Sequence, residues 1–242
     1  MQALIAGAGR GIGLAWLQLL LTEARWQRIY ALHRQPSPLL EKLAASQPRL
    51  ELLQVDLDND DQLAVLPQQV QGSLNWVINT SGVLHQGQQL QPEKSLQQLK
   101  RSALLKAFQT NAFNHLLLLQ ALQPCWARKG ELKLVSLSAR VASIDDNRLG
   151  GWYAYRASKA ALNQLMHTLA IEVRRFNPAA VTVTLHPGTT ATELSRPFQA
   201  RVPEQQLFSV ERAAQQLHQV LQGLTAEENG GFFAWDGQPI PW

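Results

Sequence analysis

The chain has 242 residues, of which 45% are hydrophobic and 17% charged, which excludes a disordered protein and is sufficient for one large hydrophobic core. Its formal net charge is only +4 and its lysines and arginines are scattered, so the sequence predicts no nucleic-acid partner. Cys125 is the only cysteine, which excludes a disulfide framework and favours a reducing, cytoplasmic location. We expect no secretory signal, because Met1 and Gln2 run directly into the first predicted strand. We expect no membrane contact, because every apolar stretch falls short of the ~20 residues of a membrane span.

Short β-rich runs alternate with longer helical patterns along the chain. The predicted strands are residues 2–6, 28–33, 50–55, 74–79, 131–136, 181–185 and 231–234. The predicted helices are residues 12–23, 39–45, 60–66, 96–125, 152–176 and 210–223, and the polar stretch 86–98 is predicted to be a solvated loop. This alternation requires parallel strands joined by right-handed helical crossovers. We therefore expect an α/β, Rossmann-like doubly wound fold in one domain, 1–242, with a mainly parallel seven-stranded sheet and helices on both faces.

The first predicted strand ends in a glycine-rich turn, and a helix follows at once. Glycines in such a turn let the backbone approach a pyrophosphate without Cβ atoms intervening. The N–H groups at the start of the helix then face the negative charge. The sequence therefore predicts a dinucleotide cradle formed by Gly7, Gly9, Arg10, Gly11, Ile12 and Gly13.

The end of the second predicted strand discriminates between the two nicotinamide cofactors. A carboxylate at this position accepts a hydrogen bond from the ribose of NAD, whereas a cation accommodates the 2′-phosphate of NADP. The strand ends in His33 and Arg34, with no carboxylate nearby. Arg34, helped by Arg10, is suited to bind a phosphate through charge-assisted hydrogen bonds. The sequence therefore favours NADP(H) over NAD(H).

Tyr155 and Lys159 lie four residues apart in a predicted helix, so both side chains leave the same helix face. A phenol has a pKa of about 10, which is too high for acid–base work at neutral pH, and a nearby cation lowers it. The pair is therefore a candidate general acid that protonates a carbonyl oxygen while a hydride reaches the carbon.

These motifs together resemble the short-chain dehydrogenase/reductase superfamily. The glycine turn is similar to its T-G-x-x-x-G-I-G pattern, with Ala6 in place of a threonine that supports the turn. The Tyr155 segment is similar to Y-x-A-S-K-A-A, and segments 143–155 and 230–242 resemble the branch of C-factor-like proteins and sniffer-type carbonyl reductases. The resemblance implies an NADP(H)-dependent oxidoreductase that transfers hydride between nicotinamide and a small-molecule carbonyl or alcohol substrate.

The resemblance also assigns further residues to the cofactor. It implies adenine and adenosine contacts after the third and fourth strands, and nicotinamide and diphosphate contacts after the sixth. The residues concerned are Asp56, Leu57, Asn79, Thr80, Ser81, Gly82, Pro187, Gly188, Thr190 and Thr192, besides Tyr155 and Lys159. No metal site is expected.

Two catalytic partners are implied by the same resemblance. Asn111 corresponds to a helical asparagine that distorts its helix and holds a water in the proton relay. The serine that orients the substrate is less obvious, because its usual position is Ala139. Ser138 is the candidate that we adopt, and Ser143 in the following loop is the alternative.

Residues 193–208 are expected to form a mobile lid whose apolar side chains favour an apolar or aromatic carbonyl compound. Residues 1–90 are expected mainly to bind the dinucleotide, and residues 105–210 to contain the catalytic residues and the lid. The resemblance implies a homodimer or homotetramer formed through the two long helices. A second hypothesis is an NADP(H)-binding signalling or regulatory protein of C-factor type with little or no turnover.

Overall fold

Nine strands are present in the computed structural model, which describes residues 1–35 and 37–242, without the side chain of Arg201. They are β1 (Gln2–Ala6), β2 (Arg28–His33), β3 (Leu50–Gln54), β4 (Trp76–Asn79), β5 (Lys133–Leu137), β6 (Val181–His186), β7 (Thr189–Thr190), β8 (Leu207–Phe208) and β9 (Phe232–Ala234). Seven of them form one sheet in the order β3-β2-β1-β4-β5-β6-β9. Every neighbouring pair in this sheet is parallel, so the predicted doubly wound sheet is confirmed.

The strand order reverses between β1 and β4, which are neighbours in the sheet although two other strands separate them in the chain. In parallel open sheets, ligands bind at the carboxyl ends of the strands beside such a reversal. The glycine turn that follows β1 and the segment that follows β4 both lie at this position. The topology therefore brings two segments that were predicted to bind the cofactor to one edge of the sheet.

Seven α-helices connect the strands in the described part of the chain. They are α1 (Gly11–Leu20), α2 (Pro38–Ser46), α3 (Asp60–Gln69), α4 (Arg101–Phe108), α5 (Asn114–Leu122), α6 (Tyr153–Arg174) and α7 (Val210–Gly223). Helices α1 and α7 cover one face of the sheet with a core that includes Trp16, Leu17 and Leu217. Helices α3, α5 and α6 cover the other face, with Leu66 and Met166 in its core.

The helix predicted over residues 96–125 is interrupted. A short 3-10 turn at Leu96–Gln98 precedes α4, and a π-helical turn at Gln109–Phe113 separates α4 from α5. Such π-turns widen a helix locally and occur frequently at functional sites. This one contains Asn111, whose side chain is fully buried.

The stretch 86–98 is a loop, as predicted, but it is not solvated throughout. Leu90 and Glu93 are only 3% and 2% exposed. An alternating or helical apolar pattern is absent from this stretch, so nothing in its sequence distinguishes the two buried residues from their polar neighbours.

The predicted lid contains only short elements. Strand β7, just before the lid, pairs with β8 at the end of the lid, and 3-10 turns at Arg196–Arg201 and Glu204–Gln206 lie between the two strands. The lid is therefore attached at both ends to the segment that follows β6. No helix in the described part of the chain is long and apolar enough to cross a membrane.

Candidate active site

The turn after β1 brings the start of α1 against the backbone of the preceding strand. A Cβ atom added to Gly13 would collide with the carbonyl oxygen of Gly7 and would lie 2.5 Å from Oγ1 of Thr80. Gly7 and Gly11 have φ values of +80° and +56°, which glycine adopts without steric cost. The first turn of α1 contains no acidic residue, so the positive end of its dipole is available to a phosphate.

Thr80 supports this turn from the neighbouring strand. Its Oγ1 donates a hydrogen bond of 2.8 Å to the carbonyl oxygen of Ala6. Ala6 occupies the position where the resemblance implies a supporting threonine, so a hydroxyl from beyond β4 provides the missing hydrogen bond. The resemblance assigned Thr80 to the cofactor, so this supporting role was not predicted from the sequence.

The segment after β4 forms the floor of a cleft. Asn79 is fully buried, and its Oδ1 accepts hydrogen bonds from both the backbone N and the Oγ of Ser81. Gly82 is exposed, and a Cβ atom placed on it would lie 3.5 Å from Oδ1 of Asn111 and 3.6 Å from Nζ of Lys159. Two of the predicted catalytic residues therefore converge on one predicted cofactor-binding residue.

Asn111 connects the π-turn to the segment after β4 and to α6. Its Oδ1 accepts from the backbone N of Val83 at 2.7 Å, and its Nδ2 donates to the carbonyl oxygen of Val83 at 2.8 Å and to Oγ of Ser158 at 3.1 Å. Both Nδ2 donors and one acceptor site of Oδ1 are therefore used to connect the segment after β4 to α6.

Tyr155 and Lys159 lie on α6, and Lys159 is 3% exposed. Its Nζ donates a 2.7 Å hydrogen bond to the carbonyl oxygen of Leu137 at the end of β5. Burial lowers the pKa of Lys159 to about 7 and raises the pKa of Tyr155 to about 12. The expected lowering of the phenol pKa is therefore not found, because burial dominates and Lys159 carries only part of its charge near neutral pH.

The two candidate serines differ in their hydrogen bonds. Ser143 is buried, and its Oγ accepts from the backbone N of Asp146 and donates to the carbonyl oxygen of Trp242. Ser138 follows β5 directly and is 4% exposed, and its Oγ has no partner among the described residues. A buried hydroxyl without a partner is costly, so Ser138 is the better placed to receive a hydrogen bond from a ligand.

His115 is a buried residue near the site that the sequence analysis missed. Its Nε2 lies 3.1 Å from the carbonyl oxygen of Ser81, and its Nδ1 lies 3.0 Å from Oγ of Ser136. A carbonyl only accepts, so Nε2 carries the proton and Nδ1 accepts from the hydroxyl. Burial, and secondarily the charge of Lys159, keeps the pKa of His115 well below its usual range. Its position one turn after Asn111 was the only sequence signal.

The segment after β6 faces the glycine turn. A Cβ atom on Gly11 would lie 3.6 Å from Cγ2 of Thr192, so two predicted cofactor-binding segments meet there. Gly188 has a φ of +73°, and a Cβ atom on it would collide with the ring of Phe208. Thr190 is buried, and its Oγ1 lies within 3.5 Å of the carbonyl oxygens of Pro187 and Gly188. These residues fold the segment back towards the lid.

Arg10 and Arg34 are both exposed, and neither forms an ion pair with the described part of the chain. Arg34 lies close enough to Asp58 to add to the effects of Lys106 and Asn114, which hold the pKa of that carboxyl below its usual value against burial. Asp56 accepts a hydrogen bond from the backbone N of Asp58, and Leu57 lies between them.

Comparisons with known proteins identify the family of the chain. A family model described as short chain dehydrogenase matches residues 1–203. The C-signal protein of Myxococcus xanthus is 34% identical over 140 residues, which are 57% of this chain and 78% of that protein. An NADPH-bound carbonyl reductase from chicken fatty liver has a TM-score of 0.89 and 25% identity, with 100% of this chain and 94% of that chain covered. The carbonyl reductase Sniffer of D. melanogaster has a TM-score of 0.88 and 26% identity, with 100% and 99% covered.

The low pKa of His186, at the end of β6, can be tested without any ligand through its effect on stability. Burial, and secondarily the charge of Arg140, lowers its pKa from 6.5 to about 4. The unfolded chain therefore binds a proton before the folded protein does, and stability is lost as the pH falls from 6.5 towards 4. We expect His186→Gln to remove up to about 3 kcal/mol of this loss, measured by urea unfolding at several pH values. Parallel pH dependences for the two proteins would contradict the assignment.

Replacement of Gly13 tests the close approach of α1 to β1. We expect Gly13→Ala to reduce the free energy of unfolding by about 2 kcal/mol or more, because the added methyl group meets the Gly7 carbonyl. Thermal and urea unfolding measure this effect. Gly223→Ala is the matched control, since nothing lies within 4 Å of a Cβ atom there. Equal stability of the two variants would show that the turn tolerates a side chain.

Proposed function

Because the chain belongs to the short-chain dehydrogenase family, we propose that it is an NADP(H)-dependent carbonyl reductase. The observation that carries the proposal is the convergence of Asn111 and Lys159 on Gly82, beside a glycine turn too tight for any side chain at Gly13. An oxidoreductase needs these two parts in one place: a cradle for the dinucleotide and a proton donor for the substrate oxygen.

The cofactor is assigned to the edge of the sheet where these segments meet. The proposed contacts are Gly7, Gly9, Arg10, Gly11, Ile12, Gly13, Arg34, Asp56, Leu57, Asn79, Thr80, Ser81, Gly82, Tyr155, Lys159, Pro187, Gly188, Thr190 and Thr192. Three observations support NADP(H) over NAD(H). The exposed Arg34 forms no ion pair with the described residues, the end of β2 carries no carboxylate, and the chicken carbonyl reductase binds NADPH. When bound, this cofactor supplies the hydride.

Tyr155 is proposed as the general acid and base. With a pKa of about 12 it keeps its proton at neutral pH, as the donor to a carbonyl oxygen must. Lys159, with a pKa of about 7, exchanges protons readily in the same range and stabilises the phenolate that remains. Asn111 holds the Val83 backbone beside them. The unpartnered Oγ of Ser138 is assigned to the substrate oxygen.

The remaining parts of the proposal concern the surroundings of the site. Residues 1–90 mainly bind the dinucleotide, and residues 105–210 provide the catalytic groups and the lid, within one domain of residues 1–242.

Three apolar side chains are exposed on the α4–α5 face, namely Leu105, Phe113 and Leu117. Their exposure favours a homodimer or homotetramer formed through this face. The single free, buried Cys125 favours a reducing, cytoplasmic location.

Replacement of the proposed acid gives the central test. We expect Tyr155→Phe to lower kcat for NADPH-dependent reduction of aldehydes, ketones or quinones by about 100-fold or more, because only the hydroxyl is lost. NADPH oxidation at 340 nm measures the rate, and calorimetry checks that NADPH binding is retained. Tyr153→Phe is the control, since that neighbouring tyrosine is 40% exposed. Turnover by wild type no greater than that of Tyr155→Phe on every substrate would reject the proposal.

The cofactor assignment is tested by titration with NADPH and NADH. We expect NADPH to bind more tightly, and Arg34→Ala to weaken NADPH binding by roughly tenfold while NADH binding changes little, since only NADPH has the 2′-phosphate. Tryptophan quenching or calorimetry measures both affinities. Arg175→Ala, at an exposed position beyond the end of α6, is the control. Equal affinity for the two cofactors, or equal losses of both, would overturn the assignment.

A second function is favoured by one comparison, the 34% identity to the C-signal protein. Under this hypothesis the chain is an NADP(H)-binding signalling or regulatory protein with little turnover, and Ala139 at the usual serine position fits such a role. This hypothesis differs from the main proposal in one outcome. It predicts that the protein binds NADPH tightly and that Tyr155→Phe leaves its biological activity unchanged.

A further inference from the structure

Trp152 has an unusual backbone conformation immediately before the catalytic helix. Its φ of 52° and ψ of 42° are left-handed, and it is the one non-glycine residue with a positive φ in the described part of the chain. A bulky residue in this region is strained, and it persists only where its surroundings enforce the conformation. Such outliers cluster at functional sites, so the contacts of Trp152 indicate what the strain achieves.

Glu93 enforces this conformation from the loop after β4. Its carbonyl oxygen accepts a 2.5 Å hydrogen bond from the backbone N of Trp152, and its Oε2 accepts from the backbone N of Ala154 at 3.2 Å. Trp152 provides no side-chain cap for α6, so the buried carboxylate of Glu93 caps the helix instead. Gly151, with a φ of +65°, allows the close approach, because a Cβ atom there would lie 3.2 Å from the Glu93 carbonyl.

The enforced conformation directs the indole into the candidate active site. The ring of Trp152 lies edge-on to the ring of Tyr155, with centroids 6.2 Å apart, and packs against Phe198 of the lid at 5.0 Å. The ring of Phe198 in turn lies edge-on to the ring of His85, with centroids 6.2 Å apart. All four side chains are only half-buried, so each keeps an open surface. The strained residue thus connects the proposed acid to the lid through aromatic contacts.

We propose that Trp152 is a specificity-determining residue, which with Phe198 forms an aromatic wall beside Tyr155. The wall selects carbonyl compounds that have a planar aromatic ring on the carbonyl carbon. A ring fits here because aromatic pairs prefer the offset and edge-on geometries that these side chains already adopt. The proposal rests on the carbonyl reductase function proposed above and names the substrate class of the same site.

The decisive variant is Trp152→Gly. Glycine adopts the left-handed conformation without strain, so this variant removes the indole while the start of α6 is kept. We expect its kcat/KM to fall roughly tenfold or more for benzaldehyde and to change much less for propanal, with NADPH affinity unchanged. Trp152→Phe should retain most of the preference for benzaldehyde. Tyr153→Ala, at the next residue, is the control and should change neither substrate.

Stability measurements separate this role from a purely structural one. If the indole served only to stabilise the fold, Trp152→Gly would lower Tm and reduce the rates with both aldehydes in proportion. We expect instead that Trp152→Gly has a Tm at least equal to that of Trp152→Ala, because alanine retains the left-handed strain. Proportional losses for benzaldehyde and propanal in a folded Trp152→Gly protein would overturn the proposal.

A binding measurement does not depend on turnover and distinguishes failure of this inference from failure of the proposed function. In calorimetric titrations of the NADPH-loaded protein, in which both cofactor and alcohol are reduced and cannot react, we expect benzyl alcohol to bind wild type roughly fivefold more tightly than Trp152→Gly. This difference supports the aromatic wall even if neither aldehyde is reduced, which would reject only the carbonyl reductase proposal. Equal affinity of the two proteins for benzyl alcohol overturns the aromatic wall whatever the rates are.

Discussion

The candidate active site depends on buried polar side chains that bond to the main chain just beyond the ends of the strands. Lys159 donates to the carbonyl of Leu137, the last residue of β5, and Asn111 bonds to both backbone groups of Val83 after β4. His115 donates to the carbonyl of Ser81 after β4, and Thr80 donates to the carbonyl of Ala6 at the end of β1. Buried polar groups must be paired, so the bonds of Lys159, Asn111 and His115 fix helices relative to strand ends, and that of Thr80 fixes the segment after β4 relative to β1. The cleft over Gly82 is the space that these bonds leave open.

Burial dominates the acid–base properties of this cleft. It raises the pKa of Tyr155 to about 12 and lowers the pKa of Lys159 to about 7. The phenol therefore holds its proton at neutral pH while the ammonium group is close to its midpoint. This combination suits proton donation to a substrate oxygen more than proton removal from an alcohol, which is consistent with a reductase.

Glu93 connects the loop after β4 to the start of α6 by hydrogen bonds. Its backbone and carboxylate hold Trp152 and Ala154, while its Oε1 is buried without a partner among the described residues. Both this unpaired oxygen and the left-handed Trp152 cost stability, and neither is explained by packing alone. Both lie near Tyr155. The proposed function of the aromatic wall, which holds an aromatic surface beside the substrate, accounts for this cost in stability.

The sequence by itself determined the parallel sheet, the glycine turn and the shared helix face of Tyr155 and Lys159. These features follow from local periodicity and spacing, which the chain carries within a few residues. Only the tertiary structure decided the hydrogen bonds of Asn111, the support of Ala6 by Thr80 and the burial of Glu93. Their partners lie 28, 74 and 61 residues away in the chain, so no local pattern encodes them. The proposed catalytic pair is thus a local feature, whereas its surroundings arise where distant segments meet at one edge of the sheet.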